Sequence, residues 1–473
     1  MYDCTRHYIN GQWVNNTSGQ EEDIINPATG ESIGKVAYGT AQDVDRAVAA
    51  ARAAFADYSQ WTVEQRIELL GKIIEAYKER YTEIAAAITA EMGAPTTFAQ
   101  KAQAGSGLGH LMATMSALKN MEMEEMAGKA TVFKEPIGVC GLITPWNWPI
   151  NQVTCKVAPA LAAGCTMVLK PSEIAPVDAT LFTEVLDAAG VPAGVFNLVN
   201  GDGPGVGSVM SAHPGIDMMS FTGSTRAGVL VAKAAADTVK RVAQELGGKS
   251  ANIILEDAPL EQAIKHGVRN MFNNTGQSCN APSRMLVPES IYEEAVELAA
   301  SVAAKVHPGD PQNPETRMGP VVSEAQYNKI QGLINKGLEE GAQVVVGGPG
   351  KPEGLETGYY VKPTIFRNVS NDMTIAREEI FGPVLCMIPY SSLDEAIAIA
   401  NDTDYGLSGY VYGATTEEAM AVARRMRTGM VHLNGANNEI QAPFGGYKQS
   451  GNGREWGEHG IDDYLEVKAV MSA

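Results

Sequence analysis

Apolar residues recur at 44, 47, 48, 51, 54 and 55, a helical spacing that predicts one amphipathic helix from Thr40 to about Tyr58. A second begins at Thr62, where T-V-E-Q forms a capping box, and Gly93 is placed to end it. Before them, YINGQWV sets an Asn-Gly pair between apolar residues, which predicts a hairpin. From about Gly138 the texture changes. Short apolar runs (GVCGLIT, CTMVLK, GVFNLV, MMSFTG) alternate with helical stretches, then RVAQELGG and ANIILE follow. A second alternating block starts near Leu260 and runs past residue 430. Such alternation predicts an α/β protein with parallel sheets covered by helices, and Gly-rich turns at the carboxyl ends of the strands where nucleotides bind.

Length supports more than one domain, since 473 residues exceed a single core. The net charge of −19 makes nucleic acids and anionic membrane surfaces poor partners. No apolar run spans a bilayer or forms a signal peptide, so a cytoplasmic location is expected. The six cysteines form no CxxC, and the seven histidines form no HExxH, so neither disulfides nor a metal site is expected.

Candidate chemistry concentrates in a few segments. In NNTGQSCNAPSR, Cys279 is surrounded by small residues that leave room for a substrate, whereas Cys140 and Cys165 lie in apolar strands. PWNWP holds Asn147 in a rigid turn, suited to donate to an oxyanion or to satisfy buried backbone. ELGGK puts Glu245 at a strand end, as a water-activating base or as a salt-bridge partner. FTGST opens a helix at Ser224, as a phosphate cradle or as an ordinary cap. KPSE places Lys170 and Glu173 after a strand, as ribose ligands or as a charged loop; GDGPGVG reads as a plain Gly-rich turn.

Taken together and in order, PWNWP, KPSE, FTGST, ELGGK, NTGQSC, EEIFGP and APFGGYKQSG resemble the aldehyde dehydrogenase superfamily over nearly the whole chain. The resemblance implies a Rossmann-like cofactor domain (1–117 and 137–247), an α/β catalytic domain (248–450) and a small β oligomerisation region (118–136 and 451–473). It implies Cys279 as nucleophile, Glu245 as base and Asn147 as oxyanion donor. Thr144, Trp146, Lys170, Glu173, Gly223, Ser224, Gln326, Lys329, Glu379 and Phe381 would contact the cofactor, NAD, with NADP left open. Gln152, Cys155, Ser278, Asn280, Asn437 and Asn438 would line a substrate tunnel. The implied reaction oxidises an aldehyde to an acid through a Cys279 thioester; acyl transfer to coenzyme A and a catalytically silent chain are the alternatives. A homodimer or homotetramer is expected. The tunnel segments suggest a longer or functionalised aliphatic aldehyde, and Arg284 is expected to be structural.

Overall fold

The computed structural model describes residues 1–472. The Asn-Gly pair turns a hairpin between strands Arg6–Ile9 and Gln12–Asn15, with Asn10 at φ 54 and Gly11 at φ 75. Both residues occupy the left-handed region that this tight turn demands. Thr40 precedes the helix Ala41–Tyr58, and Thr62 with Gln65 closes a capping box on Val63–Met92. That second helix buries Leu69, Leu70, Ile73, Ile74 and Tyr77 along one face and ends at left-handed Gly93.

Two large sheets form the body. The first has eight strands. Its parallel centre runs Arg241–Glu245, Met218–Thr222, Val139–Ile143, Thr166–Lys170, Phe196–Leu198. The hairpin strands Arg6–Ile9 and Gln12–Asn15 extend one edge antiparallel; within the parallel centre the chain starts at Val139–Ile143, proceeds outward on one side, then returns to build the other. The strand order therefore reverses between Val139–Ile143 and Met218–Thr222, and ligands of open α/β sheets bind at such a point. PWNWP and FTGST leave these two strands at their carboxyl ends. The second sheet has seven strands between Ala251 and Leu433, with Arg284–Pro288 near its middle.

Two three-stranded sheets are peripheral. One joins Tyr2–Cys4, Ser32–Ala37 and Glu21–Ile25; the other joins Leu465–Met471, Ala130–Pro136 and Glu124–Ala127. The expected boundary at 451 is corrected here. Gly451–Asn452 extends the eight-stranded sheet beside Gln244 and Glu245, and the helix Gly457–Asp462 packs on Gly105–Asn120 and Pro149–Ala163. Only the last strand of that segment joins the small outer sheet.

Candidate active site

The loop carrying Cys279 is unusual in its backbone. After the helix Leu260–Phe272, Asn274 (φ 50), Thr275 (φ 57) and Gly276 (φ 70) are all left-handed. For the two non-glycine residues this costs on the order of 1–3 kcal/mol each and must be held by surroundings. A buried amide network does so. Asn274 Nδ2 donates to the carbonyls of Asn147 (2.8 Å) and Gln277 (3.1 Å), and Asn147 Nδ2 donates to the Gln277 carbonyl (3.0 Å). Gln103 Nε2 donates to Asn147 O and Asn274 Oδ1, both at 3.2 Å, and Val322 N donates to Gln277 Oε1 at 3.0 Å. Asn147 thus satisfies buried backbone, and it also borders the cavity beside Cys279.

Cys279 is the one cysteine left partly exposed; Cys4, Cys140, Cys155, Cys165 and Cys386 are buried, and all six are free. It stands between two cavities. The first, of about 200 Å³, is bounded by Trp146, Asn147, Thr222, Gly223, Ser224, Gly247, Gln326, Lys329, Glu379 and Phe381. It lies at the strand-order reversal. Glu379 Oε1 accepts from Gly248 N at 2.8 Å, and Phe381 (φ 59) meets the Trp146 ring edge-on at 5.4 Å. A side chain at Gly247 would strike the Glu379 carboxylate at 2.7 Å. Gln326 Nε2 donates to the carbonyls of Ile380 (3.2 Å) and Phe381 (2.7 Å), so it fastens this loop. Ser224 Oγ accepts from Ala227 N at 3.3 Å, as a helix cap.

Lys170 is nearly buried. It donates to the carbonyls of Pro171 (2.9 Å) and Gly201 (2.7 Å) and pairs with Glu173 at 3.3 Å. Thr144, Lys170 and Glu173 occupy neighbouring strand ends without bordering the cavities at Cys279. Two buried hydroxyls here, Thr144 Oγ1 and Thr222 Oγ1, lack a hydrogen-bond partner.

The second cavity, of about 230 Å³, carries no ionised side chain. Gln152, Ser278, Asn280 and Asn438 border it, with His110, Trp148, Asn151, Phe444 and Trp456. Trp148 Nε1 donates to Ser278 Oγ at 2.8 Å, and Tyr410 OH donates to the Asn280 carbonyl at 2.8 Å. Asn151 Nδ2 lies 2.9 Å from His110 Nε2, and burial pushes the imidazole down to about 3, so it is neutral. Two expected tunnel residues are corrected. Cys155 points the other way, its Sγ 3.3 Å from Glu455 Oε2, because the helix turns it toward the first sheet; Asn437 is exposed outside the lining.

Glu245 also departs from expectation. It ends the strand Arg241–Glu245, yet its carboxyl enters neither cavity at Cys279. It faces a small enclosed space shared with Lys156, Ser220, Arg454 and Glu455, and neither oxygen has a hydrogen-bond partner. Lys156 is paired with Glu455. Burial, then the charge of Glu455, holds the Glu245 carboxyl well above the ordinary range, opposed by Lys156 and Arg454. The bare Gly445 gives it room, since a Cβ there would sit 2.6 Å from Oε1. Burial, then Glu379, Glu245 and Glu455, likewise pushes the Cys279 thiol up.

Gln103, Asn274, His110 and Trp456 were not singled out by sequence. Asn274 lay within the NNTGQSC segment itself; His110 and Gln103 sit in a helical stretch with no local sign of function.

No helix among the described residues is long and apolar enough to cross a membrane, and no group of acidic, cysteine or histidine side chains there is arranged to hold a metal ion. Residues 13–470 match the aldehyde dehydrogenase family. The chain is 58% identical over 472 residues to a 3-succinoylsemialdehyde-pyridine dehydrogenase from Pseudomonas sp., covering 100% of this chain and 99% of that protein. Its fold superposes, with TM-score 0.98 and 53% identity, on aldehyde dehydrogenase C of Pseudomonas syringae, solved as a cysteine-to-alanine mutant with NAD⁺ and octanal; 99% of this chain and 96% of that one are covered. A betaine aldehyde dehydrogenase from Staphylococcus aureus, solved with NAD⁺, matches at TM-score 0.96 and 38% identity over 99% and 94% of the two chains. A free cysteine between a cavity at the strand-order reversal and a neutral tunnel, on this fold, belongs to an oxidoreductase of aldehydes: the chain is a member of the aldehyde dehydrogenase family.

Proposed function

We propose that the protein oxidises a neutral, elongated aldehyde to its carboxylic acid with NAD⁺, through a thioester on Cys279. The observation that carries this reading is the position of Cys279 between the two cavities, with Asn147 beside it. The first cavity suits the nicotinamide end of the cofactor. Trp146 and Phe381 offer ring faces, Glu379 an acceptor for ribose hydroxyls, and Thr222 an unpartnered hydroxyl. Lys170 and Glu173 suit the adenosine ribose, and the Glu173 carboxylate disfavours a 2′-phosphate, which supports NAD over NADP. Relatives solved with NAD⁺ support the same choice. Bound there, NAD⁺ would supply the hydride acceptor that the oxidation needs.

The chain's own residues do the rest. Cys279 gives up its thiol proton to water and adds to the aldehyde carbon as the thiolate. The carbonyl oxygen becomes an oxyanion, and the Asn147 amide and the Cys279 backbone N–H donate to it. Once that carbon has lost its hydride, Cys279 carries a thioester. Glu245 swings from its buried cavity and takes a proton from water, which attacks the thioester. The acid leaves and the sulfur is freed.

The uncharged tunnel supports a neutral substrate, since an ionised group would be desolvated there without a counter-charge. Its mix of indole, phenyl, amide and imidazole groups suits an apolar chain bearing an aromatic or carbonyl function. The named relatives, one acting on a pyridine-bearing semialdehyde and one complexed with octanal, fit that class. The assay is reduced-coenzyme formation across an aldehyde panel, with and without coenzyme A. Neutral long-chain and aryl-keto aldehydes should exceed carboxylate-bearing or quaternary-ammonium aldehydes in kcat/KM by about tenfold or more. No turnover with any aldehyde sinks the reading; equal rates on charged aldehydes sink its substrate half.

The outer sheet supports self-association as a dimer or tetramer. Its edge strand Leu465–Met471 leaves Val467, Val470 and Met471 exposed at 68%, 44% and 78%. Six free thiols fit a reducing compartment such as the cytoplasm.

A further inference from the structure

A cleft of about 650 Å³ lies apart from both cavities at Cys279 and shares no residue with them. Five cations line it: Lys101, Lys265, Arg269, Lys305 and Arg317, against one carboxylate, Glu261. Lys265 and Arg269 stand one turn apart on the helix Leu260–Phe272. None of the five has an ion-pair partner among the described residues. This is the reverse of the molecule at large, which carries 55 acidic and 36 basic residues.

Five like charges in one concavity repel one another, and the apolar walls formed by Phe98, Phe272, Leu298 and Val302 focus their field. A monovalent anion would neutralise one of them. Lys and Arg together match phosphate oxygens, as point charges and as forked donors. We propose that this cleft binds a small molecule bearing several phosphate groups. Its position connects it to the nucleophile. Phe272 leads directly into the left-handed turn before Cys279, and Phe98 stacks edge-on at 5.4 Å against Trp148, whose indole N–H holds Ser278.

The test is calorimetric titration of the whole enzyme, saturated with NAD⁺ so that the coenzyme site is filled. Tripolyphosphate and a nucleoside triphosphate are the probes. One saturable site per chain is expected, weakening as salt rises. The double variant Arg269→Gln/Lys305→Gln should bind at least about tenfold more weakly while keeping its NAD⁺-dependent turnover without anion; Lys35→Gln/Lys72→Gln, on another surface, should bind as the parent does. Tighter binding of the nucleoside triphosphate would identify a ring seated on the aromatic wall, and equal binding a phosphate chain alone. Absence of saturable binding, or undiminished binding by the Arg269/Lys305 variant, overturns the proposal.

Discussion

Burial, and then the charges of Glu379, Glu245 and Glu455, make the Cys279 thiol resist ionisation, so its reactivity depends on what else enters its two cavities. Cys279→Ala is expected to abolish aldehyde oxidation while leaving NAD⁺ binding intact, as read by quenching of tryptophan fluorescence. Asn147→Ala should lower kcat by about 10²–10³, the cost of one oxyanion donor, with little change in KM. Glu245 gives a pH signature. Its carboxyl is held protonated above the ordinary range, and only the ionised form can accept a proton from water. Thioester hydrolysis should therefore accelerate as pH rises through that raised pKa. Glu245→Gln should lose this limb and show a burst of reduced coenzyme before slow turnover. A variant with unchanged steady-state rate would remove Glu245 from the reaction.

At the scale of elements, Thr62→Ala should cost about 1 kcal/mol in denaturant unfolding, because Thr62 Oγ1 accepts from Gln65 N and that half of the capping box is lost. A second junction is titratable. Glu91, at the end of the helix Val63–Met92, accepts from Val177 N (2.7 Å) and Asp178 N (3.0 Å) at the start of the helix Val177–Ala188. Asp178 is buried beside it, and burial holds both carboxyls above their ordinary range. The folded state then binds more protons than the unfolded state above pH ~4, so stability falls as pH rises toward neutrality. Asp178→Asn should flatten that decline in melting temperature. The local parts of this architecture were readable in the chain: the Asn10-Gly11 turn, the cap at Thr62 and the stop at Gly93 each depend on residues within a few positions. What escaped reading depends on distant partners. Gly451–Asn452 joins the sheet only because Gln244 and Glu245 present an open edge. Glu245 shares its buried space with Lys156 and with Arg454 and Glu455, from two distant segments, and Cys155 lies against the same cluster.

For the whole molecule, the exposed apolar edge strand should govern assembly. Val467→Glu/Val470→Glu is expected to reduce the mass found by light scattering toward that of one chain, with the fold retained by circular dichroism. An unchanged mass would place the contact between copies elsewhere. The close approach at Gly276 has a different reach. A Cβ there would lie 2.2 Å from the Gly382 carbonyl oxygen, so the loop before Cys279 and the loop bearing Phe381 are clasped backbone to backbone. A protein engineer must treat the two as one inherited part: resizing either alone would pry Cys279 from Phe381. New aldehydes are better sought by redesigning the opposite wall, at Asn151 and Asn438, which make no bond to that clasp.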